Sequence, residues 1–221
     1  MEFFPFTLDI KETRFLDMLF LRKVVKFGRF WINIHEEYPE LPPSPIYIDF
    51  RALRSFPNDM IKTVDLFKGM INNLMFHYLA DIPTSASYFV SILSYLTKKP
   101  IITPRLSKKS HGIESGIDGV FERGKTVVVI DDVLSSGTTI LKAIKILEEN
   151  GLKVKDIVVL LDRDQGGAQF LARYGYKVHR RLRLSTVLKY YLYREKITQE
   201  QFNKTMEFLD KAKGVLLNQK I

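Results

Sequence analysis

The chain contains the stretch Val127-Val128-Val129-Ile130-Asp131-Asp132-Val133-Leu134-Ser135-Ser136-Gly137-Thr138-Thr139, an apolar run that leads into two carboxylates and a small, hydroxyl-rich turn. A β-branched run without alternation is typical of a strand that is buried on both faces of a parallel sheet. Ligands of such sheets bind just beyond the carboxyl ends of the strands. The stretch therefore predicts an α/β fold with a ligand site at residues 131–139.

The turn after this strand has the chemistry of a phosphate site. Backbone N–H groups, a helix start and the hydroxyls of residues 135–139 can together hold a phosphate, and Gly137 lets the backbone approach it closely. Asp131 and Asp132 would repel a phosphate, so we expect them to meet sugar hydroxyls or a magnesium ion that arrives with a polyphosphate. Phosphate, ribose and metal at one turn predict 5-phosphoribosyl 1-pyrophosphate as the ligand.

The stretch resembles the signature of type I phosphoribosyltransferases, in which an acidic pair, two residues and a Thr/Ser-small-Gly-Thr/Ser turn follow a hydrophobic strand. A buried strand with a polar helix cap and merely solvated acids is the alternative, but thirteen consecutive positions meet the pattern. The resemblance implies a central, mostly parallel sheet flanked by helices in a single domain over residues 1–221. It also implies a small hood from parts of 1–50 and 176–221, a flexible catalytic loop near 105–119, and contacts from all of 131–139 to phosphoribosyl pyrophosphate.

Composition narrows the function classes. Of the 221 residues 46% are hydrophobic, which is ample for a core, and no apolar run is long enough to span a membrane, so we expect a cytoplasmic protein. With no cysteine, disulfides and Cys-based zinc sites are excluded. The net charge of +9 suits anionic ligands, but the basic residues are scattered and carry no nucleic-acid-binding signature, so we do not expect nucleic acid as a partner.

Hydrophobic periodicity indicates alternating strands and helices, and hence a parallel sheet with helices on both faces. The predicted helices cover residues 10–25, 59–74, 86–97, 138–149, 166–174, 186–194 and 198–214. The predicted strands cover residues 46–50, 75–82, 100–103, 126–131, 154–161 and 176–183. The proline-rich stretch 36–45 is predicted to be a loop, without helix or inner strand, and 105–119 a mobile loop.

The second of these loops reads Arg105-Leu106-Ser107-Lys108-Lys109-Ser110-His111-Gly112. By itself it is a solvated basic loop, but it is similar to the Arg-Lys-x-x-Lys-x-His/Tyr-Gly loop of orotate phosphoribosyltransferases. Arg105, Lys109, His111 and Gly112 match, whereas Leu106 stands where that family has Lys. The resemblance implies that Arg105, Lys109 and His111 bind the departing pyrophosphate, with Lys109 catalytic alongside Asp131 and Asp132. It also implies a homodimer with shared active sites, because the family's loop reaches the neighbouring subunit.

Two further segments resemble the orotate branch of the family. In Leu160-Leu161-Asp162-Arg163-Asp164-Gln165-Gly166-Gly167, the arginine matches the residue that holds the orotate carboxylate, and its planar fork suits that task. A surface ion pair of Arg163 with Asp162 or Asp164 is the alternative. In Ser44-Pro45-Ile46-Tyr47-Ile48, the last two residues match positions that lie against the base, although core packing is the default interpretation. Ser135 is expected to contact the base as well.

The chain departs from the family at the segment Phe30-Trp31-Ile32-Asn33-Ile34-His35. Asn33 stands where a substrate-binding Lys is usual, and residues 35–43 are an insertion. Ser85 likewise replaces a Lys of bacterial members. Each missing cation weakens the binding of a polyanion, by ~1–3 kcal/mol for a charged hydrogen bond that is not replaced.

The resemblance implies that the chain converts orotate and 5-phosphoribosyl 1-pyrophosphate to orotidine 5′-monophosphate and pyrophosphate, in the biosynthesis of UMP. Mg²⁺ would be carried by the pyrophosphate, with no direct protein ligand. Transfer to another base, and a non-catalytic, nucleotide-sensing regulator of the same fold, remain alternatives. An association with an orotidylate decarboxylase is compatible with the sequence.

We predict that Lys109→Ala lowers turnover far more than it weakens the binding of phosphoribosyl pyrophosphate, because the loop cation acts on charge that develops as pyrophosphate leaves. Steady-state kinetics test this. A loss confined to kcat/KM, with kcat unchanged, would contradict the role given to Lys109.

Overall fold

The structure, a computed structural model, describes residues 8–106 and 116–217. Its helices are α1 (Ile10–Leu21), α2 (Ile34–Glu37), α3 (Pro57–Ile71), α4 (Ser87–Thr97), α5 (Thr138–Glu149), α6 (Gly167–Arg173), α7 (Leu184–Tyr193) and α8 (Gln199–Leu217), with a 3₁₀ helix at Phe50–Ser55. Its strands are β1 (Val25–Phe30), β2 (Ser44–Ile48), β3 (Tyr78–Asp81), β4 (Ile101–Pro104), β5 (Ile117–Asp118), β6 (Thr126–Leu134), β7 (Lys153–Asp162) and β8 (Lys177–Arg183).

Six of these strands form the central sheet, in the order β5-β4-β3-β6-β7-β8. Only the short β5 runs antiparallel to its neighbour β4, and the other four pairings are parallel. The carboxyl ends of β3, β6 and β7 therefore meet at one edge of the sheet, which is where ligands of such sheets bind.

Strand β6 is buried on both faces, as its sequence predicts. Val127 and Val129 belong to an apolar cluster that includes the inward side chains of α5 and α6. Val128 and Ile130 belong to a second cluster that includes residues of α3, α4, α7 and α8. Successive side chains of a strand point to opposite faces, so β6 joins two helical layers. The predicted sheet with helices on both faces is confirmed.

A two-stranded antiparallel sheet, β1–β2, lies beside the central sheet. Its buried residues Val25, Ile46 and Ile48 join the second of the two apolar clusters, and β2 packs against α8. These elements come from the two parts of the chain expected to form a hood, and that division stays a prediction. Among the described helices, none combines the length and apolar character needed to cross a membrane.

Several predicted boundaries are wrong. The stretch 36–45 is not entirely loop, because α2 extends to Glu37 and β2 begins at Ser44. The first helix ends at Leu21, four residues earlier than expected, and the unpredicted strand β1 begins at Val25. Lys23 adopts a left-handed backbone with φ 53°, which turns the chain out of the helix. Strand β6 continues to Leu134, so Asp131 and Asp132 lie within the strand rather than at its end.

Two turns at the carboxyl ends of β6 and β7 touch backbone to backbone. A Cβ atom on Gly167 would lie 2.2 Å from the carbonyl oxygen of Ser135, closer than any side chain allows. Gly137 has φ 83°, and a Cβ there would lie 3.0 Å from Leu171 of α6. Glycine at both positions lets α6 pack directly against the turn that precedes α5.

We predict that Gly167→Ala lowers the free energy of unfolding by ~1–3 kcal/mol, because the added methyl group must push the two turns apart. Gly214→Ala in α8 is the matched control, since a Cβ at Gly214 meets nothing within 4 Å. Alanine favours a helix over glycine, so the control is expected to be neutral or slightly stabilising. Urea unfolding of both variants measures the difference, and equal stability of the two would contradict the packing argument.

Candidate active site

A cleft of about 360 Å³ opens at the carboxyl edge of the sheet. One wall is the continuous segment 131–140, which contains every residue of the predicted 131–139 stretch. The other walls come from the ends of β3 and β7, from the hairpin region and from the end of α8. The lining residues of these walls are Ile32, Asn33, Ile34, Glu36, Glu37, Tyr47, Ile82, Pro83, Ser85, Arg163, Gln165 and Leu216, and Lys142 of α5 lines the cleft as well.

The turn of residues 135–137 leads directly into α5, so the N-terminus of that helix faces the cleft. Gly137 precedes the helix in a left-handed conformation, and no side chain of the described residues caps the helix. The Ser136 and Thr138 hydroxyls lie 2.9 Å apart, and the Thr138 N–H donates weakly to the Ser136 hydroxyl at 3.4 Å. Free N–H groups of a first helical turn, the helix dipole and these hydroxyls together suit an anion.

Asp131 and Asp132 line the same cleft, although they belong to a buried strand. They are only 8% and 7% exposed, and the Asp132 N–H donates to the Asp131 carboxylate at 2.9 Å. Burial, and then the neighbouring charge of Asp132, raises the pKa of Asp131 well above its usual range. Burial also raises the pKa of Asp132, against the opposing effect of its hydrogen bond with Asp131. A diol or a cation beside the pair would compensate these buried charges.

Arg163 is a buried cation on the wall formed by the end of β7. It is 5% exposed, its guanidinium donates to the Ser44 hydroxyl at 3.4 Å, and its Nε has no partner among the described residues. Burial lowers the pKa of Arg163 to about 10. A buried guanidinium of this kind calls for an anion in the cleft.

The surface ion pair considered for Arg163 is wrong. Asp162 accepts from Arg180 at 3.0 Å, and Asp164 accepts from Arg183 at 2.6 Å. Both neighbouring carboxylates therefore face strand β8 and leave Arg163 on the cleft side.

The two residues expected to lie against the base, Tyr47 and Ile48, are neighbours on β2, so their side chains point to opposite faces of the strand. Tyr47 lines the cleft, and its hydroxyl accepts a hydrogen bond from Arg51 at 2.6 Å. Its ring stacks on Phe30 with centroids 5.5 Å apart, which fixes its position. Ile48 packs in the apolar core and is not among the cleft-lining residues. Core packing, the default interpretation of this strand, is therefore right for Ile48 and not for Tyr47.

Of the three loop residues predicted to bind pyrophosphate, only Arg105 lies in the described part of the chain. Arg105 does not line the cleft, and its guanidinium lies 3.6 Å from the Asp118 carboxylate at the base of the loop. Leu106 is 38% exposed. Lys109 and His111, together with Lys108, Ser110 and Gly112, lie outside the described residues.

The insertion contributes to the cleft in a way that the sequence did not reveal. His35 donates from Nε2 to the Pro42 carbonyl at 3.0 Å and accepts the Ile32 N–H at Nδ1 at 2.9 Å. Its ring also stacks on Phe208 of α8, with centroids 6.2 Å apart. This packing holds the short helix α2, with Glu36 and Glu37, against the cleft.

Asn33 and Ser85, which replace lysines of the family, also line the cleft. Among the described residues, no group of three or more His, Cys, Asp or Glu side chains is arranged to hold a metal ion. The cleft is therefore lined by an anion-binding turn, by the acidic pair Asp131 and Asp132, and by the buried cation Arg163. It can hold a phosphorylated sugar and an acidic partner side by side.

Comparison with known proteins matches residues 89–177 to the phosphoribosyl transferase domain. The orotate phosphoribosyltransferase of Pyrobaculum calidifontis is 36% identical over 151 residues, which cover 68% of this chain and 75% of that protein. The uridine 5′-monophosphate synthase of Bos taurus is 32% identical over 177 residues, 79% of this chain but only 37% of that protein.

Among solved structures, the UMP synthase of Leishmania donovani superposes with a TM-score of 0.79 at 31% identity. The match covers 90% of this chain and 42% of that one. The chain therefore spans well under half of the length of the two synthases it matches, and three quarters of the archaeal transferase.

We predict that Asp131→Asn raises the melting temperature at neutral pH and that the gain shrinks as the pH falls. The raised pKa means that the folded chain holds this proton to higher pH than the unfolded chain, so the wild type loses stability as pH rises from about 4 through the folded pKa. Asparagine cannot ionise and removes that loss.

The melting temperatures of Asp131→Asn and the wild type are compared from about pH 4, near the ordinary aspartate pKa, to about pH 8. Asp65→Asn on the exposed side of α3 is the control, expected to follow the wild type. A stability difference that stays constant with pH would contradict the raised pKa of Asp131.

Proposed function

Because the chain belongs to the orotate phosphoribosyltransferase family, we propose that it transfers the phosphoribosyl group of 5-phosphoribosyl 1-pyrophosphate to orotate, with release of pyrophosphate. The product is orotidine 5′-monophosphate, an intermediate of pyrimidine biosynthesis. One observation carries the choice of base: Arg163 is a buried cation without an ion-pair partner among the described residues, in the same cleft as the phosphate turn. The carboxylate of orotate would supply the anion that Arg163 lacks.

In this proposal the 5-phosphate of the substrate occupies the turn at residues 135–139. The first N–H groups of α5 and the hydroxyls of Ser136 and Thr138 would donate to its oxygens. Asp131 and Asp132, which precede the turn on β6, would accept hydrogen bonds from the two ribose hydroxyls. Val133 and Leu134 supply backbone between the two subsites, and their positions on the cleft wall support this arrangement.

The base would lie between Arg163, Tyr47 and Ser135. The guanidinium can hold the orotate carboxylate by two parallel hydrogen bonds, a geometry that lysine cannot supply. The fixed ring of Tyr47 offers a flat apolar face to the pyrimidine. Ile48 would support the base only through the core behind Tyr47.

The reaction requires positioning more than covalent catalysis. A nitrogen of the pyrimidine ring forms a bond to the anomeric carbon of the ribose and releases its proton to the leaving pyrophosphate or to water. The bond from that carbon to the pyrophosphate oxygen breaks, and its electron pair leaves with pyrophosphate. Holding the phosphate end and the base at neighbouring turns of one cleft brings the two reacting atoms together. Arg105, Lys109 and His111 would stabilise the charge that develops on pyrophosphate.

We also propose that Mg²⁺ accompanies the pyrophosphate. The buried pair Asp131 and Asp132 fits a nearby cation, because burial and mutual repulsion raise the pKa of Asp131. Two carboxylates are too few for a protein cage, so most ligands would be substrate oxygens and water. When bound, the ion would neutralise charge on the leaving group.

The proposed assembly is a homodimer in which the loop of residues 105–119 reaches the partner's cleft. Arg105 starts this loop, yet it is not among the residues that line the cleft of its own chain. Association with an orotidylate decarboxylase is also proposed, since the matched synthases are much longer than this chain.

A nucleic-acid-binding regulator is less well supported. The densest basic strand that the structure describes is β8, but Arg180, Arg181 and Arg183 pair with Asp162, Asp9 and Asp164 at 2.6–3.0 Å. These carboxylates neutralise the surface that would have to meet phosphates.

We predict that Arg163→Met lowers kcat/KM for orotate by about 100-fold, because the orotate carboxylate loses its buried partner. The KM for phosphoribosyl pyrophosphate is expected to change little. The fall in orotate absorbance with Mg²⁺ present measures turnover, and Arg173→Met, on the exposed end of α6, is the control.

The proposed function would be contradicted if the unchanged protein released pyrophosphate with uracil or a purine as readily as with orotate. An equal loss for both substrates in Arg163→Met would instead contradict the role of this residue.

A further inference from the structure

Gln165 lies two residues beyond Arg163 on the same wall of the cleft. Its side chain is 0% exposed, yet among the described residues neither the oxygen nor the nitrogen of its amide has a hydrogen-bond partner. Buried polar groups in folded proteins are almost always paired, so an amide with two unfilled positions needs an explanation. Because Gln165 lines the cleft, a ligand in the cleft can supply both partners.

The turn is built to place these two side chains on the cleft side. Asp164, between them, adopts a left-handed backbone with φ 59°. Its carboxylate accepts from Arg183 at 2.6 Å and from the Ser185 N–H at 2.9 Å, and its own N–H donates to Asp162 at 2.9 Å. The Asp164 side chain is therefore tied to the region of β8 and α7, while its neighbours Arg163 and Gln165 line the cleft.

The two unfilled atoms restrict what the ligand can be. The amide nitrogen needs an acceptor and the amide oxygen needs a donor. A phosphate at neutral pH offers almost only acceptors and would leave the oxygen unpaired. A pyrimidine-dione ring carries a carbonyl and an N–H side by side, and a primary amide pairs with that edge through two hydrogen bonds.

We propose that Gln165 hydrogen-bonds the carbonyl and N–H edge of the pyrimidine ring, and is thereby a specificity-determining residue next to Arg163. This inference rests on the proposed function. Arg163 recognises the carboxylate of the base, and Gln165 recognises its ring. Together they distinguish an acidic pyrimidine-dione from an acid without that edge.

The test compares two ligands that differ only by the base. Orotidine 5′-monophosphate and ribose 5-phosphate are titrated calorimetrically into the unchanged protein and into Gln165→Met, which keeps the side-chain length and removes both hydrogen-bonding atoms. We expect the Kd for orotidine 5′-monophosphate to rise about tenfold, as for the loss of buried hydrogen bonds. The Kd for ribose 5-phosphate is expected to stay within about twofold. Gln169→Met, the same change on the exposed side of α6, is expected to alter neither.

The melting temperature separates ligand recognition from a structural role. Because the amide has no hydrogen-bond partner in the part of the chain that the structure describes, Gln165→Met and Gln165→Leu are expected to melt no lower than the unchanged protein. Failure of both variants to fold would overturn the proposal. Equal weakening of both ligands, or an unchanged Kd for orotidine 5′-monophosphate, would overturn it as well. If the unchanged protein itself does not bind orotidine 5′-monophosphate, the proposed function falls together with this inference.

Discussion

The cleft depends on the backbone contact between the turns that follow β6 and β7. A Cβ atom on Gly167 would collide with the Ser135 carbonyl oxygen, and the Arg163 N–H donates to the Leu134 carbonyl at 2.9 Å. These contacts hold the phosphate turn and the arginine-bearing turn at a fixed separation. An anion-binding turn and a buried cation are each common in proteins. Because their spacing is fixed here, a single ligand that carries two anionic groups can contact both.

The same cleft contains groups that destabilise the folded state. Asp131 and Asp132 repel each other in a buried position, and Arg163 and Gln165 leave polar atoms without partners among the described residues. Each of these groups has a complement in the proposed substrates: a diol or a cation for the acids, a carboxylate for the guanidinium, and the ring edge of the pyrimidine for the amide. A ligand that binds the folded chain therefore stabilises it, by an amount that grows with the affinity and the concentration of the ligand.

Local patterns predicted five of the six strands of the central sheet and much of the cleft. The loop predicted over residues 105–119 is wrong at its end, because the short strand β5 (Ile117–Asp118) pairs there with β4. Helix α5 was predicted at its observed bounds, and residues 131–139 all line the cleft, because both depend on short-range periodicity and turn chemistry. Strand β1 was missed, since its VKFGRF sequence has neither strong alternation nor a buried centre. Glu36, Glu37 and Leu216 reach the cleft only through tertiary packing of segments far apart in the chain. Gln165 belongs to the segment 160–167 that drew attention in the sequence. That its amide is buried without a hydrogen-bond partner among the described residues could be seen only in the folded structure.

Helix α8 links the cleft to the end of the described chain. Leu216 lines the cleft one residue before the helix ends, and Phe208 on the same helix packs against His35 of the insertion. The last described turn of α8 therefore lies beside the cleft. An affinity tag fused close behind this helix would narrow the entrance to the cleft. Under the proposed function, a second enzyme fused there would receive the nucleotide over a short diffusion path.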